Sequence, residues 1–131
     1  MRARFRYTGI RVKDLDASVR FYTRVLGMTA QGPGRIDATK GRVIDMVTEG
    51  ADHPLELNYY EDDSPYASHY EVGEGLDHLA FKVSDLDEAV REAERAGHPV
   101  VEEVRAGGSR WVYIEDPNGI WIELSAEQPP A

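Results

Sequence analysis

Cysteine is missing from this chain, tryptophan occurs twice and phenylalanine three times. Without cysteine there are no disulfides and no thiolate chemistry, a usage compatible with a reducing cytoplasm, and metal donors are confined to His, Asp, Glu and Tyr. Positive charge is also scarce: 15 basic side chains face 24 acidic ones, a formal net charge of -9. Such a surface repels phosphate backbones and anionic lipid, which argues against nucleic-acid and membrane-surface partners. No apolar run approaches the roughly 18 residues that cross a bilayer, and the arginines near the N-terminus are not followed by one. A soluble, cytoplasmic, untargeted protein is expected.

What the sequence does contain is a repeat. In Leu76 to Gly97, LDHLAFKVSDLDEAVREAERAG, residues Leu79, Phe81 and Val83 alternate with His78, Ala80 and Lys82, the period of a strand with one apolar face. Ser84 followed by Asp87 reads as a capping box, Leu86, Ala89, Val90 and Ala93 fall at helical spacing, and Gly97 ends the helix. Tyr7 to Gly27 has the same layout. Val12-Lys13-Asp14-Leu15-Asp16 lies over Val83-Ser84-Asp85-Leu86-Asp87, and the same offset places Tyr7 on His78. Leu55-Glu56-Leu57 matches Ile122-Glu123-Leu124 at an offset about four residues shorter, which pairs Glu56 with Glu123. Two copies of a half-domain, each with one residue near its start and one glutamate near its end, can build a site about a pseudo-twofold axis.

In chain order, Phe5 to Val12 is predicted as a strand with Thr8, Ile10 and Val12 towards a helix. Asp14 caps that helix, Leu15, Val19, Tyr22, Val25 and Leu26 form its buried stripe, and Gly27 stops it. Met28 to Gln31 begins a strand that Gly32-Pro33-Gly34 should break at a hairpin tip. Arg42 to Glu49 and Leu55 to Tyr60 are strands. After the second helix, His98 to Val104, Arg110 to Glu115 and Ile120 to Ser125 are strands, with turns at Gly107-Gly108 and Asp116-Pro117-Asn118-Gly119. The expected organisation is a module over 1–60, an acidic connection over 61–75, a module over 76–127 and a tail over 128–131, together one compact domain. His53, His69 and His98 have no repeat partner of the same type and read as surface or turn residues, with His69 on a segment able to cover a site.

Val12-Lys13-Asp14-Leu15-Asp16 with Phe21-Tyr22 and Val25-Leu26-Gly27-Met28, the run Leu76-Asp77-His78-Leu79-Ala80, and Asp116-Pro117-Asn118-Gly119 ahead of Ile122-Glu123-Leu124 resemble the vicinal oxygen chelate superfamily. That superfamily includes glyoxalase I, extradiol dioxygenases, methylmalonyl-CoA epimerase and the bleomycin and fosfomycin resistance proteins. The resemblance implies an α+β fold in which two paired βαβββ modules form a curved mixed sheet around a cup-shaped site, often with modules from two subunits of a homodimer.

It also implies a divalent metal, Ni, Co, Zn, Mn or Fe, at Tyr7, Glu56, His78 and Glu123, the four positions that the repeat selects. Tyr7 departs from the histidine or glutamine usual there, and is either a weaker fourth ligand or a hydrogen-bonding group beside the metal. The implied activity is a glyoxalase I-like lyase or isomerase reaction on a small substrate with vicinal oxygens, with Glu123 or Glu56 as base and Glu123 preferred. Arg11, Asn58, Tyr60 and Trp121 are candidate substrate contacts, and Lys82 is a further cation on the same predicted face. Arg11 matches an arginine that holds the glutathione carboxylate in glyoxalase I relatives, whereas the later asparagine of that pattern is replaced by Tyr60.

Three alternatives stay open. An extradiol dioxygenase would need Fe(II) or Mn, and its relatives carry histidine where Tyr7 stands. An epimerase would use the two glutamates as opposed acid and base. A metal-free, bleomycin-resistance-like binding protein would hold a cationic molecule among Tyr7, Tyr59, Tyr60, Trp111 and Trp121.

Overall fold

The computed structural model describes residues 2, 7–67, 71, 76, 78–106 and 108–127. The chain divides into two units, Met1–Tyr70 and Glu71–Ala131. Each is an α+β module with one four-stranded mixed sheet, and the two share a single topology.

In the first module the strands β1 (Thr8–Arg11), β2 (Thr29–Ile36), β3 (Gly41–Val47) and β4 (Leu55–Tyr60) are ordered β1-β4-β3-β2. In the second, β5 (Leu79–Val83), β6 (Glu102–Ala106), β7 (Ser109–Glu115) and β8 (Trp121–Ala126) are ordered β5-β8-β7-β6. The first strand of each module runs parallel to its last, with the helix as the crossover, and the other pairs are antiparallel.

Alternation along the strands decides which face is buried. Ile10, Leu55, Leu57 and Met46 lie under the first helix, and Val112, Ile114, Ile122 and Leu124 under the second. Each such side chain contributes about 1.5–3 kcal/mol when fully buried. The opposite faces carry the polar residues.

Helix α1 (Leu15–Arg20) starts at Asp14, whose carboxylate accepts the Ala17 N–H at 3.0 Å. It continues as a wider π-helical turn, Phe21–Val25, in which the Leu26 N–H donates to the Phe21 carbonyl. That extra residue shifts the buried stripe: Ser18, Phe21 and Tyr22 are buried, while Val19, Val25 and Leu26 are only partly so. Helix α2 (Leu86–Arg95) is capped by Asp85, which accepts the Glu88 N–H, and not by Ser84. Asp85 corresponds to Asp14 in the repeat.

Other expectations need correction too. Gly32-Pro33-Gly34 is not a hairpin tip, because β2 runs through it as an exposed edge strand with a bulge between Gln31 and Gly34 and a cis Gly32–Pro33 peptide. An edge strand tolerates the missing N–H of proline. The reversal comes at the short 3-10 turn Asp37–Thr39 and at Lys40, whose φ is 50°. Strand β6 begins at Glu102 rather than at His98, whose Nδ1–H instead donates to the Glu115 carbonyl at 2.9 Å. The start of the connection folds back on the first module: the Glu61 N–H donates to the Lys40 carbonyl, Ser64 is buried, and Arg35 and Lys40 pair with Glu61 and Asp63. The predicted strand start at Phe5, the site-covering role of His69, half of the Gly107-Gly108 turn and the Pro129-Pro130 tail lie outside the described residues.

Candidate active site

On the polar face of the second module, the parallel register sets Ala80 against Glu123, and the antiparallel register sets Glu123 against Tyr113. His78, two residues before Ala80, reaches back over this row. Its Nε2 lies 3.2 Å from Glu123 Oε2, with the two side chains 31% and 22% exposed. Tyr113 Oη–H donates to the same carboxylate oxygen at 3.1 Å, and Trp111 Nε1–H donates to Tyr113 Oη at 3.2 Å. The Tyr113 ring meets His78 edge-on at 5.5 Å and packs on Trp121 at 5.1 Å. Farther along the face, Lys82 Nζ donates to Ser125 Oγ at 3.0 Å. Lys82, Trp111, Glu123 and Ser125 are among the residues lining an open depression of about 530 Å3.

The first module repeats this arrangement with different chemistry. Glu56 is in register with Gly9 on one side and with Asp45 on the other. Gly9 leaves room: a Cβ there would stand 3.2 Å from Asn58 Nδ2 and 3.8 Å from the Tyr7 ring. Tyr7, 43% exposed, therefore lies over the glycine next to Glu56. The Asn58 amide donates to the carbonyls of Ile10 and Glu56, which ties it to backbone. Arg11 stacks over Tyr60 with its Cζ 5.9 Å from the ring centre, and Tyr60 contacts Tyr66 at 5.8 Å. Tyr59 is on the opposite face, under Arg42 at 5.2 Å, so it does not join Tyr60 in an aromatic wall.

Two residues escaped the sequence reading. Asp45 and Tyr113 occupy equivalent places, each the cross-strand neighbour of its module's glutamate. Only the register of the preceding hairpin could have shown them.

Among the described residues no three His, Asp or Glu side chains of one group gather closely enough to hold a metal ion. His78 and Glu123 nevertheless form a fitting pair. Adjacent donors around a small divalent ion, each about 2.1 Å from it, are separated by roughly 3.0–3.4 Å, and the nitrogen–oxygen gap here is 3.2 Å.

The two modules thus share one βαβββ topology, with one glutamate at the same register position in each copy. Residues 4–124 fit the model of the Glyoxalase/Bleomycin resistance protein/Dioxygenase superfamily. The chain belongs to that superfamily.

Among curated members, it is 33% identical to the lactoylglutathione lyase of Pseudomonas aeruginosa, over 92% of this chain and 80% of that protein. It is also 33% identical to the lactoylglutathione lyase of Escherichia coli O157:H7, over 95% of this chain and 93% of that protein. Among solved structures, the trypanothione-dependent glyoxalase I of Leishmania major superposes with a TM-score of 0.79 at 29% identity, covering 96% of this chain and 88% of that one. This superfamily member therefore has glyoxalase relatives along nearly its whole length. Its Tyr7, Asp45 and Tyr113 give the polar faces of the two sheets unlike chemistry.

Proposed function

We propose that this protein is a metal-dependent, glyoxalase I-like lyase or isomerase acting on a small substrate with vicinal oxygens. The observation that carries the reading is the contact between His78 Nε2 and Glu123 Oε2 at 3.2 Å, on a sheet whose counterpart presents Glu56 at the same register position. The proposed ligands are His78, Glu123 and Glu56, with Tyr7 as a weaker fourth ligand or a hydrogen-bonding group beside the metal. When bound, the metal supplies positive charge that stabilises negative charge developing on neighbouring substrate oxygens.

The chain's own residues divide the remaining work. Glu123 is held by the Tyr113 hydroxyl, whereas among the described residues no hydrogen bond or ion pair engages the Glu56 carboxylate. Glu56 has no such bond to break on moving. It is accordingly assigned the proton transfer, which reverses the preference for Glu123 drawn from the sequence, taking a proton from one substrate carbon and returning it to the next. A proton removed and returned leaves no net oxidation, so no organic redox cofactor is required. Arg11 over Tyr60, and Lys82 beside Ser125, are the cations placed to meet a substrate carboxylate. Trp121 supplies an exposed aromatic surface next to Tyr113.

The test is elemental analysis of protein purified without chelators, alongside His78→Ala and Glu123→Ala. Near-stoichiometric Ni, Co, Zn, Mn or Fe in the parent protein, lost in both variants, is the expected result. Isomerisation of 2-oxoaldehyde–thiol adducts should fall with it. A parent protein that neither contains nor takes up any of these metals would sink the proposal and leave the metal-free binding protein as the reading to pursue.

A further inference from the structure

We propose that Tyr113 is a positioning residue that fixes the Glu123 carboxylate beside His78. Its direction follows from donor chemistry. The indole N–H of Trp111 can only donate, so at 3.2 Å the Tyr113 oxygen must accept from it. The phenol's own hydrogen is then directed to Glu123 Oε2 at 3.1 Å, the oxygen that also faces His78 Nε2. Trp111, Tyr113 and Glu123 thus form a chain of hydrogen bonds with one polarity, ending on the carboxylate. The Tyr113 ring also braces the imidazole edge-on at 5.5 Å and rests on Trp121 at 5.1 Å.

A glutamate has three side-chain torsions, and freezing them at the moment of binding costs affinity. The Tyr113 bond orients the carboxylate beforehand. Hydrogen-bond partners of this kind behind a ligand typically change metal affinity by about 10–100-fold. Among the described residues the first module has no counterpart, because Asp45 stands where Tyr113 stands in the second. One glutamate is therefore held and the other is left to move.

The purpose of this device rests on the metal-site reading, but its geometry does not, and the experiment separates them. Tyr113→Phe keeps the ring and removes the hydroxyl; Trp111→Phe removes the donor behind it. In the metal-free proteins, NMR cross-relaxation between the His78 ring and the Glu123 γ-methylene reports whether the two side chains remain adjacent. Competition with a chromophoric chelator gives the affinity for Co(II) or Ni(II). The expected result is weakened cross-relaxation and roughly 10–100-fold lower metal affinity in Tyr113→Phe, with a smaller effect in the same direction in Trp111→Phe. Cross-relaxation of parental strength in Tyr113→Phe overturns the inference whatever the metal result. If His78→Ala binds metal as tightly as the parent, the metal reading fails while the metal-free comparison still decides the role of Tyr113.

Discussion

Asp116 is a carboxylate only 4% exposed, and its surroundings explain why it stands where β7 turns into β8. Its Oδ1 accepts the backbone N–H groups of Asn118 and Ile120, each at 2.8 Å, and its Oδ2 accepts the Asn118 side-chain amide at 2.8 Å. Gly119, at φ 84°, completes a turn that a Cβ would strain. Removing the carboxylate would leave buried donors unsatisfied, so Asp116→Ala should lose about 2–4 kcal/mol of stability, read by chemical denaturation, and an unchanged midpoint would refute this account. The turn was legible in the sequence because Asp-Pro-Asn-Gly carries its mechanism locally. The equivalent register positions of Glu56 and Glu123, with His78 just ahead of β5, were legible because a repeat in the chain marks them. Asp45 and Tyr113 were not, since a cross-strand neighbour depends on the register that the β3–β4 and β7–β8 connections set, and no repeat of residue type marks the two positions.

Among the elements, helix α2 is tied to its sheet by one guanidinium. Arg110 on β7 bonds Asp87 on the helix through Nη1 at 2.6 Å and Glu103 on β6 through Nε at 2.6 Å. The hydrogen bonds to Arg110 hold both carboxyl groups below their usual range. A carboxyl group depressed in the folded state adds stability above its unfolded pKa and loses it as pH falls through the folded value. The contribution is therefore present at neutral pH and fades in acid below about pH 4. Melting temperatures measured from pH 7 to pH 3 should converge for the parent protein and Arg110→Gln at the acid end, and a constant gap would contradict the linkage. Both ends are exposed, so the effect should also shrink in high salt.

At this scale the periodicity of α2 was readable, whereas the buried stripe of α1 was displaced by its π turn, a hydrogen-bond choice made by packing and not by local propensity. The cap of α2 was missed for a related reason. Ser84 and Asp85 are both good caps, and the tertiary start of the helix selects the second.

For the whole molecule, the decisive property is that neither sheet gathers a metal set from its own described residues. The second module offers a nitrogen and an oxygen 3.2 Å apart, and the first offers Glu56 flanked by Asp45, Gly9 and Tyr7. On the proposed metal-site reading, one module sequence, copied and diverged, supplies part of the ligand set from each copy, and the metal needs both. If the pair is made between subunits of a homodimer, Glu56→Ala and His78→Ala should each lose metal when alone and recover part of it when mixed. Exchange of subunits would give mixed dimers in which one site receives both damaged halves and the other receives both intact halves. Random mixing should then restore about one quarter of the parental metal content, measured after co-refolding and separation of free metal. Mixtures that stay metal-free would place both halves within one chain, because no exchange of subunits can then bring an intact Glu56 to an intact His78.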